Sequence, residues 1–384
     1  MRGSKNYPTL AAISKRLNHL YAARIWFDVI KSGETQLLRL SAYMLDNKYS
    51  LDGTDIIDET IDIFGDIFLN PLIKDGSFKP EYVENEKTNL TNEILAQINN
   101  KNAYVNQKCV ETMCKNEKYA INNMGTVESV QSIDGAALFE HYNYILSNLA
   151  IEIFCVGNFE DKKEFITDKF KNMLKNIARV PAEKYGTDVI LSAEYKGETT
   201  EEMEVNQGKL AMGFRIGTSA AAADYMDFGL FSMIFGESPT SKLFENVREK
   251  LSLCYYCYPV ADPWKGVMVV SSGIEVENKQ KAQDEILNQL EEMKKGNFTA
   301  KDIEDAKLYV INSFKSFSDS AGGIIGWYMS RLLLGSIVSI EDKIKEVNEA
   351  TREGIINAAN KITLDTVYFL KGVSENNDGE AEEE

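Results

Sequence analysis

Histidine is nearly absent from this chain: two residues, His19 and His141, in 384. Neither has a histidine neighbour, so neither offers the paired imidazoles of a helical zinc motif. Five cysteines (Cys109, Cys114, Cys155, Cys254 and Cys257) are too few and too scattered for a disulfide framework. No apolar run approaches the length of a transmembrane helix, and the start lacks a signal-peptide core. Cytoplasmic residence is the expectation that follows. Cations are outnumbered, 42 Lys and Arg against 59 Asp and Glu, for a net charge of -17. Nucleic acid and anionic membrane surfaces are therefore poor partners. Basic, polar or extended peptides fit better.

What is present is ample material for a core. Hydrophobic residues make up 44% of the chain, and its length points to two domains. A helix is expected at 9–21, with Leu10, Ile13 and Leu17 on one face. Strands at 24–30 and 36–44 follow, turned by Ser32-Gly33. A strong helix at 55–69 buries Ile57, Ile61, Phe64 and Phe68 and stops at Asn70-Pro71. Helical pattern then runs over 80–100 and on to residue 115. The β-branched run 149–156 reads as a buried strand ended by Gly157, with a helix at 162–177 behind it.

The same succession returns later. A helix at 241–250, strands at 254–259 and 266–273, and helices at 279–295 and 299–314 repeat the order seen from residue 9 to 100. Thr299 and Asp302 make a capping box for the last helix. The chain thus reads as a diverged duplication: a first half at 1–177, a Pro- and Gly-punctuated linker at 178–187, a second half at 188–374, and an acidic tail at 375–384 expected to be disordered. The second half opens with strands at 188–195 and 209–216 and a helix at 225–235. Nothing corresponds in the first half, so on the repeat logic about fifty residues of strand, strand and helix are missing there. The sheet of the first half should therefore hold fewer strands and have an open edge.

The stretch 241–259, SKLFENVREKLSLCYYCYP, runs from an amphipathic helix into a strand. Arg248 leaves the last helical turn and Tyr255 enters the strand seven residues on. A guanidinium and a phenol are good donors to peptide carbonyls or to an oxyanion. Spacing alone describes them equally well as a surface cation and a packed sheet residue. Alternation places Leu253, Tyr255 and Cys257 on one face and Cys254, Tyr256 and Tyr258 on the other. That would separate the thiols of the Cys254-x-x-Cys257 pair, leaving buried free thiols as the expectation rather than redox or zinc chemistry.

Several stretches resemble the M16 peptidases, the family of insulinase and the mitochondrial processing peptidase. RGSKNYPT is similar to the family's K-G-T-x-x-Y-P segment, and LAIEIFCVGNFE to the strand and glycine closing its first domain. PTSKLFENVREKLSLCYY is similar to S-x-x-S-R-L-F-x-x-L-R-E-K-x-G-L-x-Y. The stretch 86–125 most resembles a bacterial branch lacking the zinc motif. The match covers nearly the whole chain.

The resemblance implies an α+β chain of two homologous halves, each an antiparallel-rich sheet covered by helices on one face, as in the LuxS/MPP-like metallohydrolase fold. It implies that Glu93 stands at the third zinc-ligand position and Glu86 at its supporting carboxylate. The H-x-x-E-H histidines of the family have no counterpart here, so zinc is expected only in a partner or from a motif upstream of this chain. The resemblance further implies that Arg248 and Tyr255 bind substrate backbone or oxyanion, which in paired-subunit members is done for the zinc-bearing chain. Three functions remain open at this point. One is a non-catalytic subunit binding peptide beside a zinc-bearing M16 partner, or as a homodimer. Another is a zinc endopeptidase whose motif lies upstream. The third is a peptide-binding scaffold with no proteolytic role.

Overall fold

Strands and helices alternate along the chain where hydrophobic period changes from two to about 3.6. The structure, a computed structural model, describes residues 3–180 and 186–373. The expected tail lies outside those residues, as does much of the expected linker. The chain begins with α1 (Leu10–His19), β1 (Arg24–Ser32), β2 (Thr35–Tyr43) and α2 (Ile56–Leu69). Short β3 (Ile73–Lys74) and β4 (Ser77–Phe78) precede α3 (Pro80–Ala96) and α4 (Lys101–Met113). Next come α5 (Val127–Ser132), α6 (Gly135–Asn148) and α7 (Lys163–Leu174). Then follow β5 (Glu198–Met203), β6 (Gly208–Arg215) and α8 (Tyr225–Ser232). Strands β7 (Cys254–Asp262) and β8 (Val267–Ile274) lead into α9 (Lys279–Lys294) and α10 (Ala300–Ser316). The chain finishes with α11 (Ala321–Leu333), α12 (Ile340–Glu349), α13 (Arg352–Lys361) and β9 (Thr363–Gly372). No helix among the described residues is long and apolar enough to cross a membrane.

Two compact units form. Of the described residues, unit 1 takes 3–31, 36–96 and 122–180; unit 2 takes 32–35, 97–121 and 186–373. Residues 97–121, placed with the first half on sequence, therefore group with unit 2. The helix expected over 80–100 ends at Ala96, and Asn100 starts α4, which carries the helical pattern on to Met113, by accepting the Ala103 N–H at 3.1 Å.

Unit 1 packs Ile13, Leu17 and Leu20 of α1 and its end against Ile56, Ile63 and Ile67 of α2. Its larger sheet is the two-stranded β1–β2 ribbon, which Arg39 ties by a bidentate bond to Asp28 at 2.8 and 2.9 Å. The expected strand at 149–156 is a correction: no strand forms there, and Leu149, Ile153 and Val156 are exposed. An apolar β-branched run becomes a strand only where a partner backbone takes its N–H and C=O groups.

Unit 2 is built on one five-stranded sheet, order β5-β9-β6-β8-β7, antiparallel except for the β5–β9 pair. Its sheet thus has five strands against two in the larger sheet of unit 1. Met212, Phe214, Val270 and Val367 face a layer that includes Phe228, Phe231, Ile286 and Ile355. Helices were expected on one face alone. Here α4 covers the other face, setting Val105 and Cys109 against Ala211, Val269 and Tyr368. Gly213 permits this approach, since an added Cβ would meet Met113 Sδ at 3.0 Å and Cys109 Sγ at 3.1 Å. The strand expected at 188–195 is also absent. Its place at the sheet edge goes to 198–203, ETTEEM, pairing parallel with β9. Thr299 and Asp302 form the expected capping box at α10.

Candidate functional site

The helix carrying Arg248 is a π-helix, Leu243–Lys250. Leu243 and Val247 are fully buried beneath it. Wide helical turns of this kind are uncommon and cluster at functional sites. Bonds from Leu251 N–H to Asn246 O (3.2 Å) and from Leu253 N–H to Val247 O (3.1 Å) carry the chain out of it. The turn uses Ser252 at φ 49°, in the left-handed region that favours glycine. The family pattern has glycine at this position; serine here costs about 1 kcal/mol.

Arg248 stacks its guanidinium on the Phe244 ring, 4.8 Å from the centroid, with Nε 3.5 Å from Glu249. Its side chain is 44% exposed. Tyr255 is 62% exposed and donates its hydroxyl to Glu275 Oε1 at 2.7 Å. That bond pushes the phenol's pKa up. Both donors therefore sit on the surface of unit 2. Arg248 also reaches β7 electrostatically, where its charge is among the groups acting on Cys254.

A bulge corrects the face assignment of the strand. Cys254 pairs with Ile274, Tyr256 with Gly273 and Cys257 with Ser272, so Tyr255 is the extra residue. Cys254 and Cys257 consequently share the core face, while Tyr256 and Tyr258 share the other with ring centroids 5.5 Å apart. Strict alternation had put the two thiols apart.

The two glutamates that the resemblance sets at the zinc position lie on α3. Glu86 and Glu93 are both exposed. His19 Nδ1 lies 2.6 Å from Lys15 O, and His141 stacks on Tyr144 with centroids 6.1 Å apart. Among the described residues no three His, Cys, Asp or Glu side chains converge on a point that could hold a metal. Catalytic zinc takes three protein ligands. One exposed carboxylate without imidazoles does not fit that requirement, and no chemical step is assigned to zinc on this chain.

Sequence reasoning missed a buried cluster of charges in unit 2. Arg215, fully buried at the end of β6, donates Nε to Asp365 at 2.9 Å. Its other two nitrogens grip Glu117 at 3.1 and 2.6 Å. Lys265, equally buried, contacts Glu117 at 2.7 Å and Glu34 at 2.6 Å. Lys196 adds a contact to Asp365 at 3.1 Å. Three cations and three carboxylates thus balance inside one unit. The partners lie far apart in sequence, so no local spacing signals them.

Burial works against the Glu117 carboxylate, but hydrogen bonds from Arg215 and Lys265 outweigh it and hold the group at about 2, below its ordinary 4.5. A depressed carboxyl contributes stability that is complete above its unfolded pKa and disappears as pH falls through its folded value. Unit 2 should therefore lose stability as pH drops from 4.5 toward 2. Melting curves across that window should fall more steeply for the natural chain than for Glu117→Gln. Parallel curves would show that Glu117 is not the group responsible.

Residues 132–310 match the model of the family described as Peptidase M16 inactive domain. The chain is 31% identical over 374 residues to YmfF of Bacillus subtilis (strain 168), named a probable inactive metalloprotease, covering 97% of this chain and 87% of that one. It is 22% identical over 326 residues to YmxG of the same organism, named an uncharacterized zinc protease, covering 82% and 76%. A conserved protein from Enterococcus faecalis V583 has the same fold at TM-score 0.88 and 26% identity, over 98% of this chain and 88% of that one. An M16 inactive domain from Pseudomonas fluorescens shares the fold at TM-score 0.76 and 16% identity, over 97% and 86%. The helix-to-strand motif at 241–259 thus sits within a likeness that spans nearly the whole chain, and the chain belongs to the M16 peptidase family.

Proposed function

We propose that this chain is a non-catalytic M16 homologue, resident in the cytoplasm, that binds peptide and lends Arg248 and Tyr255 to a zinc-bearing partner subunit. One observation carries the reading. The two donors stand exposed at their motif positions, while Glu93, at the zinc-ligand position, has no imidazole to work with. Exposed in this way, and held by the surface neighbours Glu275, Glu249 and Phe244, a guanidinium and a phenol can serve a reaction centre that another chain supplies.

The test has two parts. The purified chain should carry no stoichiometric zinc by elemental analysis and should leave unstructured peptides intact. Cleavage should appear, or rise, when it is mixed with a zinc-bearing M16 subunit from the same genome. One tightly bound zinc per chain with chelator-sensitive cleavage would overturn the proposal. A second reading has the relative named a zinc protease in its favour. Under it, an H-x-x-E-H sequence in the gene upstream of Met1 supplies the histidines, and the extended chain binds zinc.

A further inference from the structure

The bulge at Tyr255 creates a feature that the zinc and peptide readings leave unused. Cys254 and Cys257 occupy successive rungs on the same face of β7, opposite Ile274 and Ser272. Their side chains therefore turn toward the same core layer. Cys257 is buried and Cys254 half-buried, so one sulfur can meet a reagent and the other stands behind it. Contact with Cys257, with Ser272 and with the charge of Arg248 lowers the Cys254 pKa despite its burial. The other cysteines differ. Burial pushes the Cys109 thiol up strongly and Cys114 to about 12, and raises Cys155 as well. A depressed thiol beside a second thiol and a cation is the arrangement that reacts in exchange chemistry.

We propose that Cys254 and Cys257 form a redox-responsive dithiol that closes to an intramolecular disulfide by exchange with a low-molecular-weight disulfide. The Cys254 thiolate, its proton lost to water, attacks one sulfur of R–S–S–R. The reagent's S–S bond breaks, a mixed disulfide forms on Cys254, and the first thiolate leaves to take up a proton. Cys257 then loses its proton and attacks the Cys254 sulfur, forming the Cys254–Cys257 bond and expelling the second thiolate. Two cysteine thiols are oxidised and one small disulfide is reduced to two thiols. Rungs two residues apart on a strand are about 6.8 Å apart. That is the upper limit of Cα separation for a disulfide, so closure tightens the bulge and re-aims Tyr255. The inference stands on the strand register and does not depend on the peptide-binding proposal.

The experiment uses the intact folded chain and oxidised glutathione at graded excess. Remaining thiols are alkylated, the chain is digested with trypsin, and peptide 251–265, which holds both cysteines, is weighed. The expected product is that peptide lighter by two hydrogens, with Cys109 and Cys114 alkylated only after unfolding. Cys257→Ser should stop at a glutathione adduct on Cys254, and Cys254→Ser should leave Cys257 unmodified. A measurement on the natural chain needs no variant to fold: brief alkylation should label Cys254 several-fold faster than Cys155, despite the greater exposure of Cys155. Labelling of Cys254 no faster than Cys155, a disulfide that forms only in denaturant, or an adduct on Cys257 in Cys254→Ser would each overturn the proposal.

Discussion

Arg215→Ala should destabilise unit 2 by about 3–5 kcal/mol, because it strips one partner from a buried ionic network and leaves charge behind. Asp365, with no exposed side-chain surface, would keep only Lys196 as a cationic partner. Glu117 would keep only Lys265 among the cations that now hold it. The Met113 carbonyl would lose its bond from Arg215 at 3.1 Å as well. For a unit of this size the loss corresponds to a fall in melting temperature of about 6–20 °C. Arg215→Lys should recover little, since one ammonium cannot reach Asp365 and grip both oxygens of Glu117 together. Calorimetry on the natural chain and both variants checks this. A fall for Arg215→Ala of less than about 1 kcal/mol would mean the network is replaceable by water and repacking. Removing the charges as a set is a different experiment, because well-packed apolar replacements can match a buried ion network.

That network also explains where sequence reading stopped. Local signals were legible. Thr299 and Asp302 announced α10, and a helix–strand–strand–helix order runs from α1 to α2 and again from the Leu243–Lys250 helix to α9. Signals that depend on a partner were not. The run 149–156 is as apolar as a buried strand, yet no strand forms there among the described residues. Conversely ETTEEM, polar and unpromising, is a strand because β9 offers it a free edge. Strand β9 itself, between β5 and β6, went unread although TLDTVYFLKG is rich in β-branched and aromatic residues.

The site shows the same division. Position and residue type for Arg248 and Tyr255 were readable because the motif is contiguous. The bulge was not, since only pairing with β8 reveals that Tyr255 is an extra residue. One inserted residue reverses the facing of everything beyond it, which is how two thiols expected on opposite faces came together. The Arg215 cluster draws on residues 34, 117, 196, 215, 265 and 365, and no window along the chain contains more than a few of them.

Arg248→Ala and Tyr255→Phe should each lower peptide cleavage by the mixed complex about a hundredfold or more while leaving this chain folded. Folding should survive because neither side chain supports the core: Arg248 rests on the Phe244 ring and beside Glu249, and Tyr255 bonds outward to Glu275. Tyr255→Phe keeps the ring and removes only the hydroxyl. The size of the loss for Arg248 follows from what a preformed donor contributes where charge develops, about 2.7–4 kcal/mol at comparable oxyanion sites. Arg248→Lys should not rescue, because a compact ammonium lacks the planar fork that bonds two acceptors at once. If the pair acts only in the transition state, kcat should fall and KM stay nearly constant. A rise in KM alone would instead make the pair a grip on the ground-state peptide. The assay is cleavage by the co-expressed complex, with each variant's melting temperature matched to the natural chain. Full activity in both variants at unchanged stability would leave Arg248 and Tyr255 as surface residues, and the scaffold function would then account for the chain better than a shared active site.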